Sequence, residues 1–253
     1  MRAKHYLCGH HSMKEYVMKY FAILIFSLIF AVDQAQCDNK INWSSLVERE
    51  GVLYEKFTNK PFSGIVKGEE QGEVINGLKH GEWLSFWDSG QLSSKKNYKS
   101  GEMDGPQIQW DDNGKISGEW FMMLGEPHGV FKNYDDGILI SEFNYIVGVK
   151  DGVQKSFYKT GQIADEKFYR KGLKVGRHRS WEETGGLSIE KNYEGNELHG
   201  VTKTYSNGSL LKSANYLYGK KNGFEKYFDV ETAKIRSAKC WVGGVEANLG
   251  QCK

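Results

Sequence analysis

The 253-residue chain is poor in proline (3) and cysteine (4) and close to neutral, with 34 Lys and Arg against 32 Asp and Glu for a formal charge of +2. Without a strong field of one sign, a protein held to nucleic acid by phosphate neutralisation is not expected. Cysteine clusters at zinc spacing, paired histidines on a helix, a strained serine turn and a phosphate-cradling glycine loop are also missing. No metal ligand, cofactor or catalytic residue is therefore predicted, and the chain is not expected to be an enzyme. The uncharged run from Phe21 to Val32 has 12 residues, short of the roughly 20 that span a bilayer. What is plentiful is glycine (30) and aromatic side chains (13%), which offer too much surface to bury for a disordered chain.

The Phe21–Val32 run follows Met18 and Lys19 and has the length of a signal-peptide core. This predicts export to the periplasm or beyond, with the leader ending at Gln36 to Cys37. Acylation of Cys37 is an alternative, against which Gln36 stands where a small residue is wanted. The stretch before the leader reads as an overextended start, with Met13 or Met18 as initiator. The expected divisions are 1–37 for extension and leader, 38–76 for a lead-in with a short first repeat, and 77–253 for a repeat array with a C-terminal cap. Loss of Cys8 and Cys37 with the leader would leave Cys240 and Cys252, an even pair expected to form a disulfide in an oxidising compartment.

From residue 77 onward the chain repeats with a period of about 24. Gly77, Gly101, Gly125, Gly148, Gly172, Asn196, Gly219 and Gly243 form one column, and a second glycine stands four residues after each but the last (Gly81, Gly105, Gly129, Gly152, Gly176, Gly200, Gly223). Asn is the residue after Gly that best tolerates positive φ, so the column is a backbone requirement. Between the pairs lie Asp88-Ser89-Gly90, Asp112-Asn113-Gly114, Asp135-Asp136-Gly137 and their equivalents, which suit a type I turn closed by a left-handed residue. Each unit is thus strand, turn, strand, turn: an all-β, single-layer antiparallel meander of β-hairpin repeats.

Period-two patterning assigns the faces. Phe86, Trp110, Tyr134, Phe157, Trp181, Tyr205 and Phe228 form an aromatic column. In the return strands an aliphatic residue is followed six later by Tyr98, Met122, Tyr145, Tyr169, Tyr193 or Tyr216, an even step that predicts one common side. The last return strand, with Ile235 and Cys240 five apart, reads as out of step. A single 24-residue unit cannot repay its ordering entropy, so stacking of units is obligatory.

The segments Gly77-Leu78-Lys79-His80-Gly81-Glu82-Trp83 and Asn196-Glu197-Leu198-His199-Gly200, with Asn207-Gly208 and Tyr216, resemble the variant MORN repeats of bacterial YwqK-type, antitoxin-like proteins. The resemblance covers about residues 52–245 and implies an all-β array with an interaction role. It carries no catalytic residue across, and an exported leader sits badly with a cytosolic antitoxin.

Two sets of candidate partner-binding residues follow. Lys132, Lys155, Arg179, Lys203 and Lys226 share parity with the aromatic column, to which Lys96, Lys167 and Lys191 are added from return strands, while Glu119, Glu142, Glu166 and Glu190 are assigned to the opposite face. The expected sheet is cationic on one side and more acidic on the other. The cationic side would serve either to cover rings with lysine stems or to bind an anionic partner: an acidic protein, an anionic lipid or a glycan. Trp83, Phe121, Phe131, Phe168 and Tyr227 are assigned to the side opposite the column, either exposed as a contact surface or packed beneath residues 41–60, where Trp43, Leu46 and Val47 would form a short helix. A second reading, an enzyme acting on envelope glycan through Glu142 and Glu166, requires a site that breaks the repeat, and these glutamates recur with it. Another protein is the first partner expected; the oligomeric state stays open.

Overall fold

A computed structural model describes residues 39–252; the leader, Cys8 and Cys37 lie outside the described residues. Strands pair in chain order from Gly64–Lys67 to Val245–Ala247, all antiparallel, in a sheet that does not close on itself. The meander is as expected, with one parallel addition, Lys40–Asn42 alongside Gly64–Lys67.

The glycine column builds the stack. Gly77, Gly101, Gly148 and Asn196 have φ of 80°, 87°, 74° and 76°, and each is preceded by a second left-handed residue, Asn76 (50°), Ser100 (51°), Val147 (43°) and Gly195 (59°). Two consecutive positive φ values make the two-residue type I′ turn, whose twist matches the strands it joins. The N–H of each column residue then donates to the carbonyl two residues past the preceding column residue: Gly101 to Lys79 (2.9 Å), Gly125 to Met103 (2.9 Å), Gly172 to Lys150 (2.8 Å), Asn196 to Lys174 (3.1 Å). Successive turns are therefore tied by backbone along one edge.

The opposite edge explains the uneven period. Asp111 and Tyr158 open three-residue loops closed by Gly114 (φ 79°) and Gly161 (φ 84°). Asp136-Gly137 and Asn207-Gly208 instead form type I′ turns with both residues left-handed, one residue shorter, and these are the two 23-residue units. The final unit is longer, because its loop runs from Asp229 to Lys234, with Asp229 N–H donating to Lys234 O at 2.9 Å. That corrects the reading of the last return strand: Trp241, not Cys240, pairs with the second glycine Gly223, as Tyr216 pairs with Gly200. Gly244, not Gly243, donates to Lys221 O and holds the column position.

A second correction concerns the faces. In every unit the return strand carries a one-residue β-bulge opposite the aromatic column: Ser85 pairs with Ser94 but Phe86 with Leu92, and Ser180 with Ile189 but Trp181 with Leu187. The extra residue reverses parity. Leu92 and Phe86 lie together, but Tyr98 lies on the other face with Trp83, their rings 6.4 Å apart and edge-to-face. Tyr145 meets Phe131 at 6.1 Å, and Tyr193 meets His178 at 4.6 Å, on that same side. The rings thus form two columns on opposite faces, here called the ladder face (Phe86 to Phe228) and the tyrosine face (Tyr98 to Trp241).

The main apolar core lies where the lead-in joins the array. Leu46, Leu53, Phe62, Val66, Val74 and Trp83 are buried against one another, with Ile41, Trp43 and Tyr98 packed on them. Trp43–Ser45 forms one 3-10 turn, while Leu46–Arg49 and Val52–Glu55 form a hairpin rather than the helix expected for Leu46 and Val47. At the other end Cys240 and Cys252 form the expected disulfide.

Candidate functional site

The inward row of the tyrosine face is occupied in turn by Trp83, Gln107, Phe131, Gln154, His178, Thr202 and Glu225, two residues after each second glycine. Four of these are buried polar groups: Gln107, Gln154, His178 and Glu225. Their chemistry is set by the strand break at the second glycine, which leaves backbone groups without ladder partners. Gln107 Nε2 donates to Asn97 O (3.0 Å) and its Oε1 accepts from Asn97 N–H (3.2 Å). Gln154 Nε2 donates to Asn144 O (2.9 Å), and Phe168 N–H donates to His178 Nε2 (3.1 Å). Burial lowers the His178 pKa, against the backbone bond to Phe168. This histidine serves the backbone of the neighbouring strand, as the two glutamines do.

Over that row, between the fourth and fifth complete units, lies a cleft of about 310 Å³ lined by Asp165, Lys167, Tyr169, Lys174, His178, Ser180, Lys191 and Tyr193. Three lysines line it. Lys167 Nζ is 3.5 Å from Asp165, itself held low by Ser180 and Lys167 against its burial. Lys174 Nζ lies 5.4 Å from the centre of the Tyr193 ring. Lys191 has no ion-pair partner among the described residues. Desolvation and the neighbouring Tyr169 raise the Tyr193 pKa, so its hydroxyl stays protonated and can donate. One carboxylate against three lysines leaves the cleft cationic, with tyrosine walls.

The ladder face is arranged differently. The predicted basic column does stand beside the aromatic column, but the glutamates stand there too. Glu119 pairs with Lys132, Lys132 with Glu142, Glu142 with Lys155, Lys155 with Glu166, Glu166 with Arg179, Arg179 with Glu190 and Glu190 with Lys203. Directly opposed residues share a side, so the expected split into a cationic and an acidic face is overturned: this face is a ladder of alternating charge. Arg179 bridges Glu166 at 2.5 Å and Lys203 reaches Glu190 at 3.9 Å. Lys226, beyond the last glutamate, pairs with Ser213 and Ala238 and lies 5.3 Å over the Phe224 ring.

Of the irregular aromatics, Trp83 is not a contact residue but the centre of the lead-in core, 1% exposed. Phe131 is on the tyrosine face as expected and stacks on Trp120 at 5.1 Å. Phe121 pairs with Pro106 and Phe168 with Val153, which places both on the ladder face, contrary to expectation. Lys96, Lys167 and Lys191 move the other way, opposite Trp83, Gln154 and His178. Lys174 and His178 were not singled out by sequence; the one available signal is that Lys79, Lys150, Lys174 and Lys221 share one position of the repeat. Among the described residues there is no cluster suited to a metal ion, and no helix is long and apolar enough to cross a membrane.

An unclosed meander of stacked hairpins, tied by left-handed turns, defines a β-repeat protein. Residues 79–100 and 150–171 match the MORN repeat variant, both beginning two residues past a column glycine. Two units of the array thus carry the pattern of that repeat family. No curated protein matches it. Among solved structures, a mutant of S. aureus TarM in complex with Fondaparinux, alpha-GlcNAc-glycerol and UDP aligns at 16% identity over 51% of this chain and 21% of that one, with a TM-score of 0.24, a likeness that carries no argument.

Proposed function

We propose that this protein is an exported, non-catalytic binding or scaffold module of the cell envelope that holds another protein through an acidic segment laid on the tyrosine face. The observation that carries this reading is the cleft lined by Lys167, Lys174 and Lys191, in which three lysines and two tyrosines accompany one carboxylate, that of Asp165. Such a site suits carboxylate or phosphate groups, which tyrosine hydroxyls and lysines engage by charge-assisted hydrogen bonds. The ladder lysines serve it less well, because their neighbours on both sides are glutamates. Export is supported by the leader-like run in the sequence and by the Cys240–Cys252 disulfide. An antitoxin-like role is the narrower form of the same proposal, one in which the partner is a toxin. Non-catalysis is favoured because the carboxylates near exposed rings recur with the repeat.

The test is capture from an envelope fraction with salt elution. The triple variant Lys167→Gln, Lys174→Gln, Lys191→Gln should lose salt-sensitive capture, while Lys155→Gln, Arg179→Gln, Lys203→Gln should retain most of it. The reverse order would remove the tyrosine face from the proposal. Sedimentation with anionic vesicles distinguishes the second reading, lipid binding through the same lysines.

A further inference from the structure

The edge formed by the stacked type I′ turns has features that stability does not explain. Three of its left-handed positions are filled by large apolar residues, Leu124 (φ 49°), Val147 (φ 43°) and Tyr218 (φ 46°), where Gly or Asn fits without strain. All three are exposed, at 62%, 46% and 58%, although the Tyr218 ring also leans on His199 at 4.9 Å. Ile146, Val149, Leu173, Leu217, Val242 and Val245 extend the exposed apolar row along the same edge. The turn backbone is already bonded from unit to unit, so strand addition is not what this edge offers. Side chains are.

The order of the turns is self-complementary. From the turn at Leu124 to the turn at Gly243-Gly244 there are six, and their characters run apolar (Leu124), apolar (Ile146, Val147, Val149), basic (Arg170, Lys171), acidic (Glu194, Glu197), apolar (Leu217, Tyr218) and apolar (Val242, Val245). A two-fold axis between the third and fourth turns brings basic against acidic and apolar against apolar throughout. The polar turns at Asn76 and Ser100 fall outside this segment. Two copies of one repeat also share one spacing, about 10 Å per unit, so contacts stay in register over the roughly 50 Å of edge, as an isologous interface requires.

We propose that the turn edge from Leu124 to Val245 is a homodimer interface, with a second copy of this chain running antiparallel along it. It is separate from the tyrosine-face cleft, and either can fail without the other. Sedimentation equilibrium of the purified full chain should show a concentration-dependent dimer. Val147→Asn with Tyr218→Asn, which places a turn-favouring residue at both left-handed sites, should keep the fold and weaken dimerisation at least tenfold. Lys171→Glu alone should weaken it, and adding Glu197→Lys to that variant should restore it. A monomer at all concentrations, a dimer indifferent to these changes, or a monomer whose apolar edge instead binds vesicles would overturn the proposal.

Discussion

Trp241 donates its indole N–H to Glu225 Oε2 at 2.8 Å, closing the last unit of the array over a carboxylate that is 1% exposed. Lys212 and Lys221 occupy the other oxygen at 2.6 and 2.7 Å. Burial alone would raise this carboxyl, but the two lysines and the indole win and hold its pKa at about 2 instead of 4.5. The final hairpin is therefore fastened by charge where the first is fastened by the apolar lead-in.

Acid should release this end first. The folded-state pKa lies below the unfolded value, so the stabilisation is present above about pH 4.5 and is lost as pH falls towards 2. Its size is on the order of 3 kcal/mol from the shift. Glu225→Gln should cost about 2–4 kcal/mol at neutral pH and flatten the acid limb between pH 4.5 and 2, measured by urea unfolding. An unchanged acid limb would show that the carboxylate is not charged where it lies.

The column of glycines was legible because positive φ leaves a residue-type mark: Gly77, Gly101 and Asn196 could hardly be anything else. The bulge that separates the two faces leaves none. It falls at Ser93, Ser117, Ile140, Ala164, Ser188, Leu211 and Arg236, positions with no common chemistry, since its geometry is imposed by the neighbouring strand. An even step from Leu92 to Tyr98 therefore looked like one face and was two, and the glutamates, Lys96, Lys167 and Lys191 and two of the phenylalanines all changed sides with it. Trp83 was assigned to the correct face, and of the two readings open for it the buried one holds: Trp43 and Leu46 of the lead-in cover it, a contact between residues remote in sequence that period alone does not decide.

The charge ladder gives a direct test of that reversal. Glu142→Lys would set a third ammonium group between those of Lys132 and Lys155 on adjacent strands, where like charges directly opposite are unfavourable. The expected loss is about 1–2 kcal/mol at low ionic strength, shrinking at 1 M salt as the screening length falls to about 3 Å. Glu142→Gln should cost less than half as much. If Glu142 faced away from the lysines, the charge reversal and the neutral variant would behave alike.

Gly72, inside the strand Glu70–Ile75, should tolerate no side chain. A Cβ built on it would sit 2.4 Å from the Trp83 indole, whose Nε1 is fixed by donating to Glu73 O at 3.0 Å. The ring cannot withdraw without emptying the core. Gly72→Ala is expected to cost about 3 kcal/mol or more as overpacking, comparable to the roughly 3–5 kcal/mol of Trp83→Ala, read as a drop in midpoint denaturant concentration.

Removing the disulfide separates local from global stability. Cys240 and Cys252 close a loop across the last hairpin and the terminal 3-10 turn Leu249–Gln251, and a closure of this length contributes about 3 kcal/mol in the chain-entropy account. Because each hairpin of a repeat array leans chiefly on its neighbours, the loss should spread only as far as coupling between units carries it. For Cys240→Ser with Cys252→Ser, amide exchange should accelerate most in Ile235–Val242 and Val245–Ala247, less in Lys220–Phe228, and little in Leu78–Phe86, where the lead-in core holds the sheet. Uniform acceleration across all of these strands would mean that the array unfolds as one cooperative block and that its two fastened ends are not independent.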